Sequence, residues 1–238
     1  MKRTLVISDI HGCYEPFNQL LELMKYNRTE DQLIVLGDYV DRGPCSKEVI
    51  EQIMRMVRED GVIALRGNHD QRFIHVARSG DPKVTSTFLE YGGKQAVMSY
   101  LDLDFWDDTW ATETIQQFRR VVVERYQQHL SFMESLPYYY EDKTHIYVHA
   151  GLDPSYLDWK SQSPKEFMYI RELFIKNKTV VNKTVVFGHT KTVEIHGSAD
   201  IWFGGDKIGI DGGCSSGLQL NGLEITDGST YRTYKVKA

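Results

Sequence analysis

Within its first eighty residues the chain repeats one pattern three times. A short apolar run ends in a cluster of Gly, Asp, Asn or His, and an amphipathic segment follows. The runs cover residues 4–8, 32–36 and 62–65. The amphipathic segments cover 16–25, 47–58 and about 71–78, with Phe17, Leu20, Leu21 and Met24 marking the inward face of the first. Apolar spacing of three and four residues predicts helices, and the short runs predict buried strands. A β-α-β-α-β-α order predicts parallel strands with helices on the sheet faces. The polar clusters then fall at the C-terminal ends of the strands. They read Asp9-Ile10-His11-Gly12, Gly37-Asp38-Tyr39-Val40-Asp41-Arg42-Gly43 and Gly67-Asn68-His69-Asp70.

The pattern changes after residue 80. Residues 80–136 read as a helical insertion, with Phe118, Val121, Val122, Tyr126, Leu130 and Met133 at helical spacing over 114–135. The rest is rich in strands. Residues 138–141 and 145–148 form a predicted hairpin, and 164–175 a helix. Short strands are predicted at 185–187, 193–196, 207–210, 218–220, 222–226 and 230–236. Two further histidines end apolar runs here, in Val148-His149-Ala150-Gly151 and Phe187-Gly188-His189-Thr190. The expected fold is mixed α/β, two sheets packed face to face with helices outside. With 238 residues, the expectation is one domain carrying the insertion.

Composition excludes several classes. The chain is 41% hydrophobic and 26% charged, which suits a globular core. It has no apolar run long enough to span a bilayer, and the apolar part of Met1–Ile7 is too short for a signal peptide. Three cysteines without a CxxC pair point to a reducing compartment, so the expected location is cytoplasmic. A net charge of −5 argues against a nucleic-acid polymer as partner. An anion must therefore be gripped by a local arrangement.

The clusters supply that arrangement. Asp9 and His11 offer an oxygen and a nitrogen two residues apart, and in extended chain both would face one side. Such a mixture suits Mn, Fe or Zn more than Ca. Of Asp38 and Asp41, one can bridge two cations and the other can orient a histidine. Arg42 presents a planar fork that fits phosphate oxygens. Asn68 offers a neutral oxygen, and His69 beside it can face the substrate as a general acid. His75, His129, His145 and His196 carry no motif, and Asp102-Leu103-Asp104-Phe105 does not follow a strand.

The ordered set Asp-x-His-Gly, Gly-Asp-x-Val-Asp-Arg-Gly, Gly-Asn-His-Asp, His-Ala-Gly and Gly-His-Thr resembles the phosphoprotein phosphatase family of metallophosphoesterases, its small bacterial and bacteriophage members above all. The resemblance spans Asp9 to His189, and Ile208-Gly209-Ile210-Asp211-Gly212 extends it. It implies a calcineurin-like fold and two divalent ions, Mn first among them. Asp9 and His11 would hold the first ion, Asp38 would bridge, and Asn68, His149 and His189 would complete the second. It further implies that His69 is the acid, held by Asp41, and that Arg42 and Arg171 bind phosphate. In that family a hydroxide bridging the metals attacks phosphorus in line. Asp41 favours a serine/threonine protein phosphatase acting on phosphorylated protein or peptide. Asp70 stands where the protein phosphatases usually carry Glu and keeps the symmetrical bis(5′-nucleosyl)-tetraphosphatases as the alternative. A non-catalytic binding module on this scaffold would lack a ligand or the acid, and no motif position is missing.

Overall fold

A computed structural model describes residues 3–238. Met1 and Lys2, part of the Met1–Ile7 stretch judged above too short for a signal peptide, lie outside the described residues. The first half runs β1 (Arg3–Ile7), α1 (Tyr14–Leu23), β2 (Asp31–Val35), α2 (Ser46–Asp60), β3 (Ile63–Ala64) and α3 (Asn68–Ser79). Helices α4 (Pro82–Phe88), α5 (Lys94–Leu101), α6 (Ala111–Arg125) and α7 (Gln127–Ser135) follow. The second half holds β4 (Tyr139–Glu141), β5 (His145–Val148), α8 (Pro164–Tyr169), α9 (Glu172–Lys176), β6 (Thr184–Phe187), α10 (Thr192–His196), β7 (Trp202–Phe203), β8 (Lys207–Gly209), β9 (Gln219–Thr226) and β10 (Thr230–Lys237).

Two five-stranded sheets result, ordered β10-β9-β1-β2-β3 and β4-β5-β6-β8-β7. Strands β1, β2 and β3 are parallel, as are β5, β6 and β8. The mixed two-sheet expectation therefore holds. Alternation along β1 shows how the layers form. Val6 turns inward to meet Ile34, Tyr147, Val186, Ile208 and Leu223 between the sheets. Leu5 and Ile7 turn outward, against Phe17, Leu20, Ile50 and Ile53 of the helices. The helices after α3 join this outer core through aromatic rings. Phe118 of α6 lies 5.3 Å from Phe73 of α3, and Phe88 of α4 lies 6.3 Å from it.

Four expectations change. Residues 193–196 are helical, because Thr192 anchors α10 by donating to the Asp211 carbonyl and Gly197 closes it at φ 78°. The stretch 164–175 is broken, with Ile170 extended and Arg171 at φ −132°, ψ −102° between α8 and α9. The 114–135 segment is two helices meeting at Tyr126. The two strands predicted within 218–226 are one continuous strand, β9 (Gln219–Thr226), and β7 lies where no strand is predicted.

Candidate active site

The strand-end clusters are zipped together through their backbones. The Asp9 N–H donates to the Gly37 carbonyl at 3.2 Å, that of His11 to Asp38 at 2.8 Å, and that of Gly12 to Tyr39 at 2.8 Å. The period-two expectation for Asp9 and His11 fails, because both are left-handed rather than extended, at φ 53° and 46°. Asp38, Asp41, Arg42 and His189 share this conformation. It costs energy for residues with a Cβ and persists where the surroundings over-determine it, as at functional sites.

Asp70 accounts for part of that over-determination. Its carboxylate is fully buried and accepts from the N–H groups of Asp38, Tyr39 and Gly67, each at 2.9 Å. It clamps the second cluster to the third and does not line the cavity. Gly67 is needed for close approach, since a Cβ there would strike the Asp38 carboxylate.

The structure brings the sequence-named residues to one cavity of about 420 Å³, lined by Asp9, Asp38, Arg42, Asn68, His69, Arg171 and His189. His149 lies behind it, fully buried, with Nε2 3.0 Å from Asn68 Oδ1 and 3.5 Å from Asp38 Oδ2. His11 Nε2 also lies 3.5 Å from Asp38 Oδ2. Asp38 thus belongs to two donor groups, one with His11 and His69 and one with His149 and His189. Asp9 joins neither group, and its Oδ2 accepts from the Ser8 hydroxyl and from the His189 N–H.

Three of the histidines are held alike. The Nδ1 of His11 faces the Val40 carbonyl at 2.8 Å and that of His149 faces the Leu36 carbonyl at 3.0 Å. The His189 ring lies beside the Tyr169 backbone. A carbonyl can only accept, so Nδ1 of His11 and of His149 carries the proton and Nε2 keeps its lone pair. His69 differs, with its Nδ1 on Asp41 Oδ2 at 2.7 Å. Asp41 is fully buried and its Oδ1 has no partner.

This donor set fits divalent cations. Burial pushes His11, His69, His149 and His189 down, toward neutral imidazoles. Burial also pushes Asp9 up and Asp38 up to about 6, as expected of carboxylates short of positive charge. The lone pair of His149 Nε2 faces the Asn68 oxygen, another acceptor, and a cation between them removes that conflict. Imidazole and carboxylate together suit Mn, Fe or Zn.

The arginines lie around this centre. Arg42 spans two imidazoles, with Nη1 3.0 Å from His11 Nε2 and Nη2 3.0 Å from His69 Nε2. Arg171 Nε donates to His189 Nε2 at 3.1 Å. The helix break at residue 171 is what aims it inward. Sequence reasoning missed Arg72, Thr87, Tyr91 and Tyr169, which line the same cavity. Only Arg72 had a readable signal, since it lies three residues after His69 and so on the same face of α3.

The model of the calcineurin-like phosphoesterase family matches residues 2–209. A symmetrical bis(5′-nucleosyl)-tetraphosphatase of Buchnera aphidicola subsp. Acyrthosiphon pisum is 44% identical over 89 residues, 37% of this chain and 32% of that protein. The chain thus spans about a third of the length of the first curated relatives it matches. Another protein of that name, from Aliivibrio fischeri, is 25% identical over 96% of this chain and 97% of its own. A solved structure described as a candidate diadenosine tetraphosphatase superposes with TM-score 0.66 at 19% identity, over 100% of this chain and 94% of that one. The chain belongs to the calcineurin-like phosphoesterase family.

Proposed function

We propose that this calcineurin-like phosphoesterase is a metal-dependent hydrolase that cuts a dinucleoside tetraphosphate at its centre, working as one domain with residues 80–136 as an insertion. The end-to-end similarity to the Aliivibrio fischeri protein carries this reading. The shorter match to the Buchnera aphidicola protein, at higher identity, supports it. Symmetrical hydrolysis adds water across the central P–O–P bond. The water oxygen bonds one phosphorus, the bridging oxygen leaves with the other half, and two nucleoside diphosphates result.

Asp9, His11, Asp38, Asn68, His149 and His189 are the residues that would hold two divalent ions, Mn being our first choice. When bound, such ions lower the pKa of water and offset charge on phosphoryl oxygens. Arg42 and Arg171 orient the phosphoryl group from either side. His69 faces the cavity through Nε2; once protonated there it can pass that proton to the departing oxygen, while the Asp41 carboxylate holds Nδ1–H and balances the imidazolium charge.

The His69–Asp41 pair also favours a second reading, a serine/threonine protein phosphatase. An alkoxide leaving group needs a proton more than a phosphate leaving group does. The purified protein, loaded with Mn, Fe, Zn or Mg, should be given diadenosine tetraphosphate beside phosphoserine peptides, with products separated by chromatography. Diadenosine tetraphosphate turned over to ADP alone supports the first reading. Phosphate release from peptides without cleavage of the dinucleotide replaces it with the second.

A further inference from the structure

The cavity holds one guanidinium more than a single phosphoryl group requires. Arg42 and Arg171 both touch the histidine cluster, but Arg72 does not. It lies one helical turn past His69 along α3, about 4.5 Å further by helix rise. Its guanidinium sits 4.7 Å from the centre of the Tyr91 ring. It also lies close to the Tyr169 hydroxyl. Its Nη1 is buried and has no hydrogen-bond partner; among the described residues its strongest carboxylate neighbour is buried Asp41, which is not within ion-pair distance of it. A buried donor without an acceptor is costly unless something supplies one.

The shelf under Arg72 is built deliberately. Tyr91 lies in a kink, Leu89–Gly93, between α4 and α5, where Tyr91 (φ −92°, ψ 17°) and Gly92 (φ 104°, ψ 14°) leave the helical conformation. Gly92 takes φ 104°, and a Cβ there would come within 2.6 Å of Arg42 Cγ. Its carbonyl accepts from the Arg42 N–H at 2.9 Å. One kink therefore positions the Arg42 backbone and the ring that carries Arg72.

We propose that Arg72, seated on Tyr91, forms a second phosphate subsite that takes the phosphoryl group next to the one attacked. Because it lies beyond His69, it meets the leaving half of the substrate. It favours a phosphoanhydride chain over a simple monoester, which has no second phosphate to offer. The proposal rests on the polyphosphate reading above and refines it.

The test compares inhibitors of 4-nitrophenyl phosphate hydrolysis by the metal-loaded enzyme, with metal in excess. Orthophosphate fills one subsite and imidodiphosphate fills two without being cleaved. The wild type should bind imidodiphosphate more tightly by about ten- to hundredfold, as for one charged hydrogen-bonding group. Arg72→Gln should erase that preference while the orthophosphate constant stays nearly unchanged, and Arg72→Lys should keep part of it. A wild type without the preference, an Arg72→Gln enzyme that retains it, or equal weakening of both inhibitors overturns the subsite. Cleavage of diadenosine tetraphosphate is scored separately. If the wild type ignores that substrate yet shows the Arg72-dependent preference, the substrate reading falls and the subsite stands. If it cleaves the substrate and Arg72 does not matter, the reading stands and the subsite falls.

Discussion

The wall of the cavity built from strand ends presents Asp9, Asp38, Asn68 and His189, each at most 8% exposed, with left-handed backbone at three of the four. The opposite wall comes from α3, α4 and the kink that follows. It presents Arg72, Thr87 and Tyr91, none of them fully buried, and Tyr91 is 48% exposed. The first wall concentrates charge away from water, where each charged contact is strong and each misplacement costly. The second meets solvent and tolerates change. On the proposed reading, the strand-end wall would set the chemistry and the helical wall would choose among phosphate compounds. Breaking the first should abolish turnover, whereas altering the second should redistribute it.

The largest effect is expected at Asp38, the residue shared by both donor groups. Asp38→Asn should lower bound metal below two ions per chain by elemental analysis. Activity should fall by more than the roughly 10–100-fold that an outer partner of a metal site costs. Full metal content with full activity would remove Asp38 from the centre. At His69 the expected loss is on the order of 10²–10⁴ in kcat for an alkyl phosphate. Both metals should stay bound in His69→Asn, and the loss should be smaller for the dinucleotide. Loss of metal in that variant would make His69 a ligand, as its place beside His11 and Asp38 permits, and would dissolve the division of roles among the histidines.

Gly92 joins the two walls, so its replacement sharpens the comparison. Gly92→Ala must relieve a left-handed φ and a clash with Arg42. The expected result is an intermediate loss of about tenfold in kcat/KM, the lower end of what a displaced outer partner costs, with metal content unchanged. An unaltered kcat/KM would mean that the kink does not position Arg42.

The two walls also differ in how much the sequence reveals. Every residue named on the strand-end wall came from short clusters, because Gly, Asp and His placed directly after an apolar run seldom serve packing alone. The path of the chain through those clusters was less legible. Asp9 and His11 were expected in extended chain, yet cross-loop backbone bonds hold them left-handed. The inward aim of Arg171 depends on a helix break that apolar spacing does not announce. Asp70, read as a pointer to substrate, proves to be a backbone clamp whose need arises only once the second and third clusters meet. On the helical wall, Tyr91 and Thr87 sit among ordinary amphipathic residues. Only tertiary packing of α4 beside α3 gives them a role.

The smallest expected effect concerns the stability of the helices packed behind the helical wall, apart from its chemistry. His129 of α7 is 1% exposed, and its Nδ1 lies 2.9 Å from the Tyr100 hydroxyl of α5. Burial, aided by Lys47, pushes it down to about 4, whereas an unfolded histidine titrates near 6.5. Between about pH 6.5 and 4 the unfolded chain binds a proton that the folded chain refuses, so folding loses stability as pH falls through that window. Replacement by Gln should flatten that dependence. Melting temperatures taken from pH 7 to 5 in the presence of a chelator should fall further for the wild type than for His129→Gln, with a difference on the order of a few degrees. The site histidines titrate in both proteins and cancel in the comparison. Activity at pH 7 should be the same in both, because His129 touches neither the cavity nor the strand-end wall. Parallel melting curves would show that His129 is not what ties the helical wall to pH. Unequal activity at pH 7 would show that the two walls are coupled through α7.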